Sequence, residues 1–335
     1  MEEQAEVVTA ACGGDEAAFA ELADRYRREL QVHCYRMLGS VEDAEDLVQE
    51  TFLRAWRRRE TYQGRATFRA WLYKIATNAC LDLLDRRPAP ALPVAAEPPD
   101  DPTAAPLPAV AVPWLVPCPD HLLDEVVVAR ETVELAFLAA VQHLPPRQRA
   151  VLVLRDVLGW PAKETAGLLA ATVAGVNSAL QRARETMRAQ LPPRRLDWVA
   201  APPTEQERAV VRSYMSALER ADDAALAELL RVDARCGQAP WAGGNMSDDP
   251  VWYSGRDMLL AGWQPVLHGP DRREFRCLET LANGRPAVAT YIGLPGGDAF
   301  EPFGLSVLRL VDGAIAEITV FGAEHYPRFG LPPAL

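Results

Sequence analysis

The feature that most constrains this chain is a proline- and alanine-rich segment near its middle, residues 88–119. Its sequence is PAPALPVAAEPPDDPTAAPLPAVAVPWLVPCP. Each proline fixes its own φ and removes a backbone donor, so we expect an extended linker and not part of a core. The 335-residue chain must then fold as separate domains around it. Within the linker, VPWLVPCPD is too apolar for a plain spacer and predicts either local packing or a specific docking contact.

Composition narrows the class of protein. The chain is 49% hydrophobic and 24% charged, which is ordinary for a soluble globular protein. The first residues are acidic and do not form a signal peptide, and no apolar run reaches the roughly 20 residues that span a bilayer. The six cysteines are scattered without a CxxC motif. We therefore expect a cytoplasmic protein with free thiols, no metal site, no cofactor and no membrane partner.

Helical spacing dominates the chain up to about residue 191. In residues 15–87, apolar residues such as Leu22, Tyr26 and Leu30 repeat with a helical period, and Ser40 is a plausible N-cap after Gly39. A second proline cluster, LPPRRLDWVAAPP, closes the helical region near residue 203. Beyond it we expect helices at 204–220, 222–231 and 255–265, followed by strands joined by NG and DG hairpin turns. The last domain is therefore predicted to be α+β.

Positive charge is concentrated in one part of an acidic chain. The formal net charge is −11, but residues 131–195 hold nine basic and five acidic residues, whereas residues 196–335 hold twelve basic and nineteen acidic residues. The basic part contains GWPAKETAGLLAATVAGVNSALQRARETMR, which predicts two helices around a short turn, with Thr172 as the second N-cap. Asn177, Gln181 and Arg182 then lie on the outer side, where they can contact base edges and phosphates. This pattern is typical of a helix-turn-helix, although a solvated basic face remains the alternative.

Two further stretches carry chemistry. VEDAEDLVQETFLRAWRRR places Asp46, Gln49, Glu50 and Arg54 along one edge beside Leu47 and Leu53. A mixed polar and apolar edge of this kind suits docking onto another helical protein. TYQGRATFRAWLYKIATNACLDLLDRR combines aromatic, amide and cationic side chains, which an unstacked single-stranded base requires. The alternative is that its aromatic residues are core, and we favour that alternative for Trp71 and Ile75.

These stretches, in this order, resemble bacterial sigma factors of the extracytoplasmic-function (ECF) group within the sigma-seventy family. The signatures are DAEDLVQETFLRAW, FRAWLYKIATNACLDLL and LPPRQRAVLVLRDVLGWPAKETAGLLAATVAGVNSALQRAR. The tail is similar to the cone-shaped α+β SnoaL-like domain appended in some long members, and PWLVPCPD resembles their linker. The resemblance implies sigma domain two at 12–88, a linker at 89–120, sigma domain four at 121–192, which is the helix-turn-helix, and a regulatory SnoaL-like domain at 204–335.

The resemblance also implies a role for individual residues. Those implied to bind core RNA polymerase are Asp43, Asp46, Leu47, Gln49, Glu50, Leu53 and Arg54. Those implied to bind the −10 promoter element are Tyr62, Gln63, Gly64, Arg65, Lys74, Asn78, Arg86 and Arg87. Those implied to bind the −35 element are Thr172, Val173, Gly175, Asn177, Ser178, Gln181, Arg182 and Arg184. Gly175 departs from the alanine expected there.

The last domain leaves several functions open. SnoaL-like folds also include isomerases with an acid or base in a conical pocket, and the candidates here are His268, Asp257, Glu317 and Tyr291, with a wall of Trp241, Trp252 and Trp263. No spacing places them in a cleft, so catalysis, ligand sensing and protein–protein regulation all stay open, and we expect no enzyme. An anti-sigma protein or a small molecule is an open partner of this domain. The rival to a sigma factor is a one-component helix-turn-helix regulator with a ligand-binding domain. An isomerase with a DNA-binding accessory is a third alternative.

Overall fold

The computed structural model describes residues 2–64, 66–87, 112, 114–123, 134–191 and 203–335. The chain divides into two compact units. The first comprises residues 1–106, 122–132 and 137–196, and the second comprises residues 107–121, 133–136 and 197–335. Among the described residues, no helix is long and apolar enough to cross a membrane.

The first unit begins with four helices. They are α1 (Glu2–Cys12), α2 (Glu16–Leu38), α3 (Val41–Arg57) and α4 (Phe68–Arg86), with a short 3₁₀ helix, Arg59–Thr61, after α3. The Asp15 side chain caps α2 by accepting from the amides of Ala17 and Ala18. Ser40 caps α3 as the sequence predicts, since its hydroxyl accepts from the Asp43 amide at 3.2 Å. The helical prediction for residues 15–87 is confirmed, but α1 was not predicted.

Four more helices follow the linker. They are α5 (Leu135–Gln142), α6 (Pro146–Leu152), α7 (Ala162–Leu168) and α8 (Val173–Gln190), and a π-helical turn, Val153–Val157, continues α6. Thr172 is the N-cap of α8, with its hydroxyl 3.0 Å from the Gly175 amide. The predicted inner side of this helix is correct, because Val176, Leu180 and Met187 are all buried.

The two helical blocks contact each other within the first unit. Arg149 of α6 is buried, and its guanidinium donates to the carbonyl oxygen of Met37 at the end of α2. The same group donates to the side-chain oxygen of Gln142 at 2.6 Å and to the carbonyl of Leu144 at 3.2 Å. Nearby, the rings of Tyr73 and Trp160 lie 5.2 Å apart. One arginine therefore links the chain before the linker to the chain after it.

The second unit is α+β, as predicted. Its helices are α9 (Glu205–Glu219), α10 (Asp223–Leu229) and α11 (Arg256–His268). Its strands are β1 (Leu230–Gln238), β2 (Val251–Ser254), β3 (Glu274–Ala282), β4 (Arg285–Gly293), β5 (Glu301–Val311) and β6 (Ala314–Phe321), followed by a 3₁₀ helix, Ala323–Phe329. They form one sheet in the order β2-β1-β6-β5-β4-β3, in which β1 and β6 are parallel and the other pairs antiparallel. Helices α9 and α11 pack on one face of this sheet around a shared core.

The strand predictions are correct for the hairpins and incomplete elsewhere. Asn283-Gly284 joins β3 to β4 and Asp312-Gly313 joins β5 to β6, and all four residues have positive φ, as a two-residue hairpin turn requires. The predicted helix 222–231 is wrong at its end, because α10 stops at Leu229 and the chain enters β1 directly. β1 and β2 were not predicted.

Candidate functional sites

The outer edge of α3 is the predicted polymerase surface. Asp46 and Gln49 are exposed, and Leu53 keeps 50% of its surface open to solvent. An exposed leucine between polar groups leaves apolar surface that a partner could bury. Leu47, which we expected to be exposed, is half-buried instead, because it shares a helix face with the buried residues Ala44 and Thr51, three and four positions away.

Glu50 and Arg54, two of the predicted polymerase residues, are paired with each other. The Arg54 guanidinium donates to Glu50 at 2.7 Å and to Asp82 of α4 at 3.3 Å. The hydrogen bond from Arg54 lowers the pKa of the Glu50 carboxyl, so that group stays ionised at neutral pH. This pair leaves Asp46 as the acid on the edge with no recorded ion pair among the described residues.

The predicted −10 residues gather where α4 follows a loop. The ring of Tyr62 lies 5.5 Å from the rings of both Phe68 and Trp71. Lys74 and Asn78 of α4 are exposed at helical spacing from Trp71. Aromatic rings beside a cation and an amide match the groups that bind an unpaired base.

The remaining predicted −10 residues, and the aromatic residues beside them, differ in their exposure. Gln63 and Gly64 are exposed, and Gly64 has φ +66°, whereas Arg65 lies outside the described residues. The preference for Trp71 and Ile75 as core is only partly right. Both are half-buried, whereas the rings of Phe68 and Tyr73 are buried, and the Tyr73 hydroxyl donates to Glu29 of α2 at 3.4 Å.

The C-terminal end of α4 joins two predicted sites. Arg86 and Arg87 are both exposed, and Arg87 makes a bidentate ion pair with Asp43 at 2.6 and 2.9 Å. That pairing holds the pKa of the Asp43 carboxyl below its ordinary value despite partial burial, which acts in the opposite direction. Arg87 was predicted for DNA and Asp43 for polymerase, but here each neutralises the other. Arg86 is therefore the exposed cation at this end of the helix with no recorded ion pair among the described residues.

Helices α7 and α8 form the predicted helix-turn-helix. Ala170, with φ +49°, and Ala171 make the turn, and the Ala171 amide donates to the Ala166 carbonyl at 2.9 Å. Every residue of the predicted −35 set is exposed, and Val173 keeps 44% of its surface accessible. This outer ridge of amides, hydroxyls and arginines has the chemistry of a helix that enters the major groove.

The arginines of α8 differ in whether they form an ion pair. Arg184 makes a bidentate ion pair with Asp156, at 2.7 and 2.8 Å, which ties α8 to the π-helical turn. The Gln181 amide donates to Glu185 at 3.1 Å. Arg182 has no recorded hydrogen bond or ion pair among the described residues. The structure therefore distinguishes Arg184, which is held by an ion pair, from Arg182, which is exposed.

The comparisons with known proteins match this architecture. Residues 22–88 match Sigma-70 region 2, residues 134–187 match Sigma-70 region 4, and residues 211–318 match a SnoaL-like domain. The chain is 39% identical over 324 residues to the ECF RNA polymerase sigma factor SigG of Mycobacterium tuberculosis strain H37Rv, a match that covers 95% of this chain and 85% of SigG. The chain belongs to the ECF RNA polymerase sigma factors.

Two other relatives match different lengths of this sigma factor. SigW of Bacillus subtilis strain 168 is 31% identical over 182 residues, which is 53% of this chain and 91% of SigW. The crystal structure of the Mycobacterium tuberculosis sigma factor SigJ aligns with a TM-score of 0.60 at 23% identity, covering 94% of this chain and 99% of SigJ. The SigJ likeness is one of fold. SigW therefore matches about half of this sigma factor, and the match to SigJ extends over nearly all of it.

The sigma factor does not bring the candidate catalytic residues together. A cavity of about 390 Å³ opens between α9, α11 and the sheet, and of the seven candidates only Trp263 lines it. His268 is paired with Asp223 at 3.1 Å, and Glu317 with Arg309 at 3.2 Å. The Tyr291 hydroxyl donates to the Pro332 carbonyl, and Asp257 is 93% exposed on the outside of α11. Each candidate base therefore lies outside the cavity that a substrate would enter.

Sequence reasoning missed the residues that hold the linker. The Cys118 amide donates to the side-chain oxygen of Asn283 at 2.8 Å, and the Asn283 amide donates back to the Cys118 carbonyl at 2.9 Å. The Gly284 amide donates to the Asp120 carboxylate at 2.8 Å. We call these four residues the linker clamp.

An ion pair and apolar burial extend the linker clamp along the chain. Arg285, the first residue of β4, pairs with Glu134, which directly precedes α5. Val112 and Leu115 of the linker are buried as well. The available signals were the apolar VPWLVPCPD segment, for which docking was one of two alternatives, and the NG dipeptide, which predicted only a turn.

Proposed function

We propose that this sigma factor binds core RNA polymerase through the α3 edge and directs it to promoters through α4 and α8. The observation that carries the proposal is that one chain presents both an exposed mixed edge, at Asp46, Gln49 and Leu53, and an exposed polar ridge on α8. A regulator that only binds DNA needs the second surface and not the first. The geometry supports a non-catalytic role in the cytoplasm, where polymerase acts.

The two DNA surfaces suit different steps of initiation. The α8 ridge is built from groups that hydrogen-bond to base edges and phosphates of duplex DNA. The aromatic group at Tyr62 and Trp71, with Lys74 and Asn78, is instead suited to a base that has left the stack. We assign α8 to the −35 element and the α4 group to melting at the −10 element.

Run-off transcription with purified core polymerase tests this function. Core polymerase with the full-length protein should produce a promoter-dependent transcript that core polymerase alone does not produce. A one-component regulator would bind promoter DNA without core polymerase and would yield no such transcript. That second result would overturn the proposal.

We further propose that the C-terminal domain restrains the sigma domains in cis through the linker clamp. Three contacts to Cys118 and Asp120 hold the end of the linker between domain two and domain four, and the ion pair at Glu134 holds the residue directly before α5. The contact between Arg149 and the Met37 carbonyl supports a compact state of those two domains. A compact state would have low polymerase affinity if the polymerase needs the domains apart. The opposite role, bracing the domains for activity, is the alternative.

A single hairpin substitution separates these roles. Asn283→Gly keeps the turn, because glycine adopts positive φ readily, and removes the side-chain acceptor for the Cys118 amide. Asp312→Gly is the matched control, since it edits the other hairpin turn, at φ +52°, away from the clamp. Restraint predicts more transcript from Asn283→Gly than from Asp312→Gly, and bracing predicts less. Equal yields would remove the clamp from regulation.

A further inference from the structure

The cavity of the C-terminal domain has the form of a ligand pocket. Its volume of about 390 Å³ falls within the range of small-molecule sites, roughly 300–1,000 Å³. It is lined mainly by apolar side chains from the helices and the concave face of the sheet, among them Tyr214, Trp263, Phe275, Phe303 and Ile318. A space of this size within a packed domain leaves apolar side chains without neighbours, which a ligand would supply.

The lining determines the charge of what can enter. No Asp, Glu, Lys, Arg or His is among the described residues that line the cavity. Burial raises the pKa of the Cys236 thiol to about 12 and raises the pKa of the Tyr214 hydroxyl well above its ordinary value, so both stay neutral. A charged molecule would lose its hydration and find no counter-charge there. The cavity therefore selects neutral molecules.

A few polar groups are set into this apolar surface. The Gln238 amide nitrogen donates to the Gly243 carbonyl at 2.7 Å, which fixes the amide against the wall. Ser306 and Gln238 both pair in register with Val320, from opposite sides, so they face the cavity from neighbouring positions. The Ser306 hydroxyl has no recorded partner among the described residues. It can therefore hydrogen-bond a ligand in the cavity.

The mouth of the cavity exposes apolar side chains. Met246 is 76% exposed and Tyr253 is 38% exposed, although both line the cavity. Trp252, next to Tyr253 on β2, is 43% exposed. Large apolar side chains that face water around an opening are typical of a binding site.

We propose that this cavity binds a small, neutral, mainly apolar molecule with one hydrogen-bonding group that meets Ser306, and that it holds this molecule without changing it chemically. The candidate bases lie outside the cavity, so the residues that line it bind and do not transfer protons. The site is independent of the promoter surfaces, and its test does not require transcription.

A neutral naphthyl ketone dye, PRODAN, is the probe, and the full-length protein is used throughout. Its carbonyl can accept from Ser306, and its emission shifts to the blue in an apolar site. We expect saturable binding with a blue shift, and much weaker binding of an anionic naphthalene sulfonate of the same ring size. No saturable binding of the ketone, or equal binding of the sulfonate, would overturn the proposal.

Two substitutions locate the binding. Gly262 of α11 lines the cavity, and a Cβ added there meets no atom within 4 Å, so Gly262→Trp can project a ring into the space without backbone strain. Ala261→Trp, at the exposed neighbouring position, is the matched control. We expect Gly262→Trp to lose at least about tenfold in affinity while Ala261→Trp retains it, and equal affinities would contradict the assignment. Ser306→Ala should weaken binding by about two- to tenfold, the value of one hydrogen bond, and no change would remove Ser306 from the site.

Discussion

Arg182 is the single cation on which promoter recognition by α8 can be tested most directly. It is exposed on the outer ridge, whereas Arg184 is held by Asp156. If Arg182 contacts a base, Arg182→Ala should cost about 1–3 kcal/mol and relax one position of the −35 element. If it contacts phosphate, binding should weaken on all sequences and the salt slope should fall by about one. Filter binding over a salt series measures both, with Arg208→Ala on α9 as the control, and an unchanged affinity would exclude Arg182 from the interface.

His33 is a second residue whose role can be measured, in this case through its effect on stability. Its ring nitrogen lies 2.9 Å from the Thr77 hydroxyl, between α2 and α4. Burial, and then the charges of Arg36 and Arg69, lower the pKa of His33 from 6.5 to about 3. Between pH 6.5 and about 3, His33 therefore binds a proton in the unfolded chain but stays neutral in the folded chain.

The sign of the pH effect follows from that difference. The neutral His33 side chain contributes its full share of the free energy of unfolding above the unfolded pKa of 6.5. That share is lost as the pH falls toward 3. The free energy of unfolding should drop by up to about 1.4 kcal/mol per pH unit in that window. Urea unfolding at neutral and mildly acidic pH measures this, and His33→Gln should show a smaller drop. The exposed His121→Gln should behave like the unaltered protein, and equal drops in all three would contradict the prediction.

At the scale of elements, helix α3 carries one acid, Asp46, that we propose binds polymerase, and another, Glu50, that forms an ion pair within the helix. Reversing Glu50 would also break its pair with Arg54, which adds about 0.3–0.5 kcal/mol to the helix. Asp46→Lys avoids that loss and should weaken core polymerase binding by about tenfold, since an interface residue that matters contributes more than ~1 kcal/mol. Titration of labelled protein with core polymerase measures the affinity, and circular dichroism should show unchanged helicity. Glu21→Lys on α2 is the control, and equal affinities would argue against the α3 surface.

The elements that could be predicted from the sequence are those whose signals are local. Ser40 and Thr172 as caps, the inner side of α8 and the two hairpin turns all depend on residues within one or two turns of chain. β1 was missed because the helical run of α10 enters it without a turn residue, and because Val232 and Asp233 are both exposed, which breaks strand alternation. β2 has only four residues, and its run Val251-Trp252-Tyr253 does not alternate between apolar and polar residues, so it gives no strand period.

The site residues divide in the same way. The outer residues of α3 and α8 could be predicted because a helix fixes which side chains share a face. Arg149 and Asn283 could not, because their partners, Met37 and Cys118, are 112 and 165 residues away in sequence. Which of the exposed residues contact polymerase or DNA stays a prediction.

At the scale of the whole molecule, removing residues 204–335 deletes all contacts of the C-terminal domain at once and so tests whether this domain restrains the sigma domains. If the C-terminal domain restrains the sigma domains, the truncated protein should give more run-off transcript at equal concentration. Bracing predicts less. Because truncation removes the partners of both Cys118 and Asp120 together with the whole domain, the intact Asn283→Gly variant is the companion measurement and should change in the same direction. Identical transcription with and without the domain would eliminate both roles.

The linker clamp has a topological consequence. The C-terminal domain is joined to domain four covalently, through residues 192–202, and also holds the chain on the other side of that domain, at Glu134. The C-terminal part of the chain therefore contacts the residue before α5 and also continues covalently from the segment after α8. A protease site engineered between residues 192 and 202 would cut the covalent connection, and the two fragments should still elute together while the clamp holds. Opening the clamp would release Cys118 and Asp120 while residues 192–202 still joined the C-terminal domain to the rest of the chain. The proposed restraint could then be lifted and restored in one molecule without dissociation.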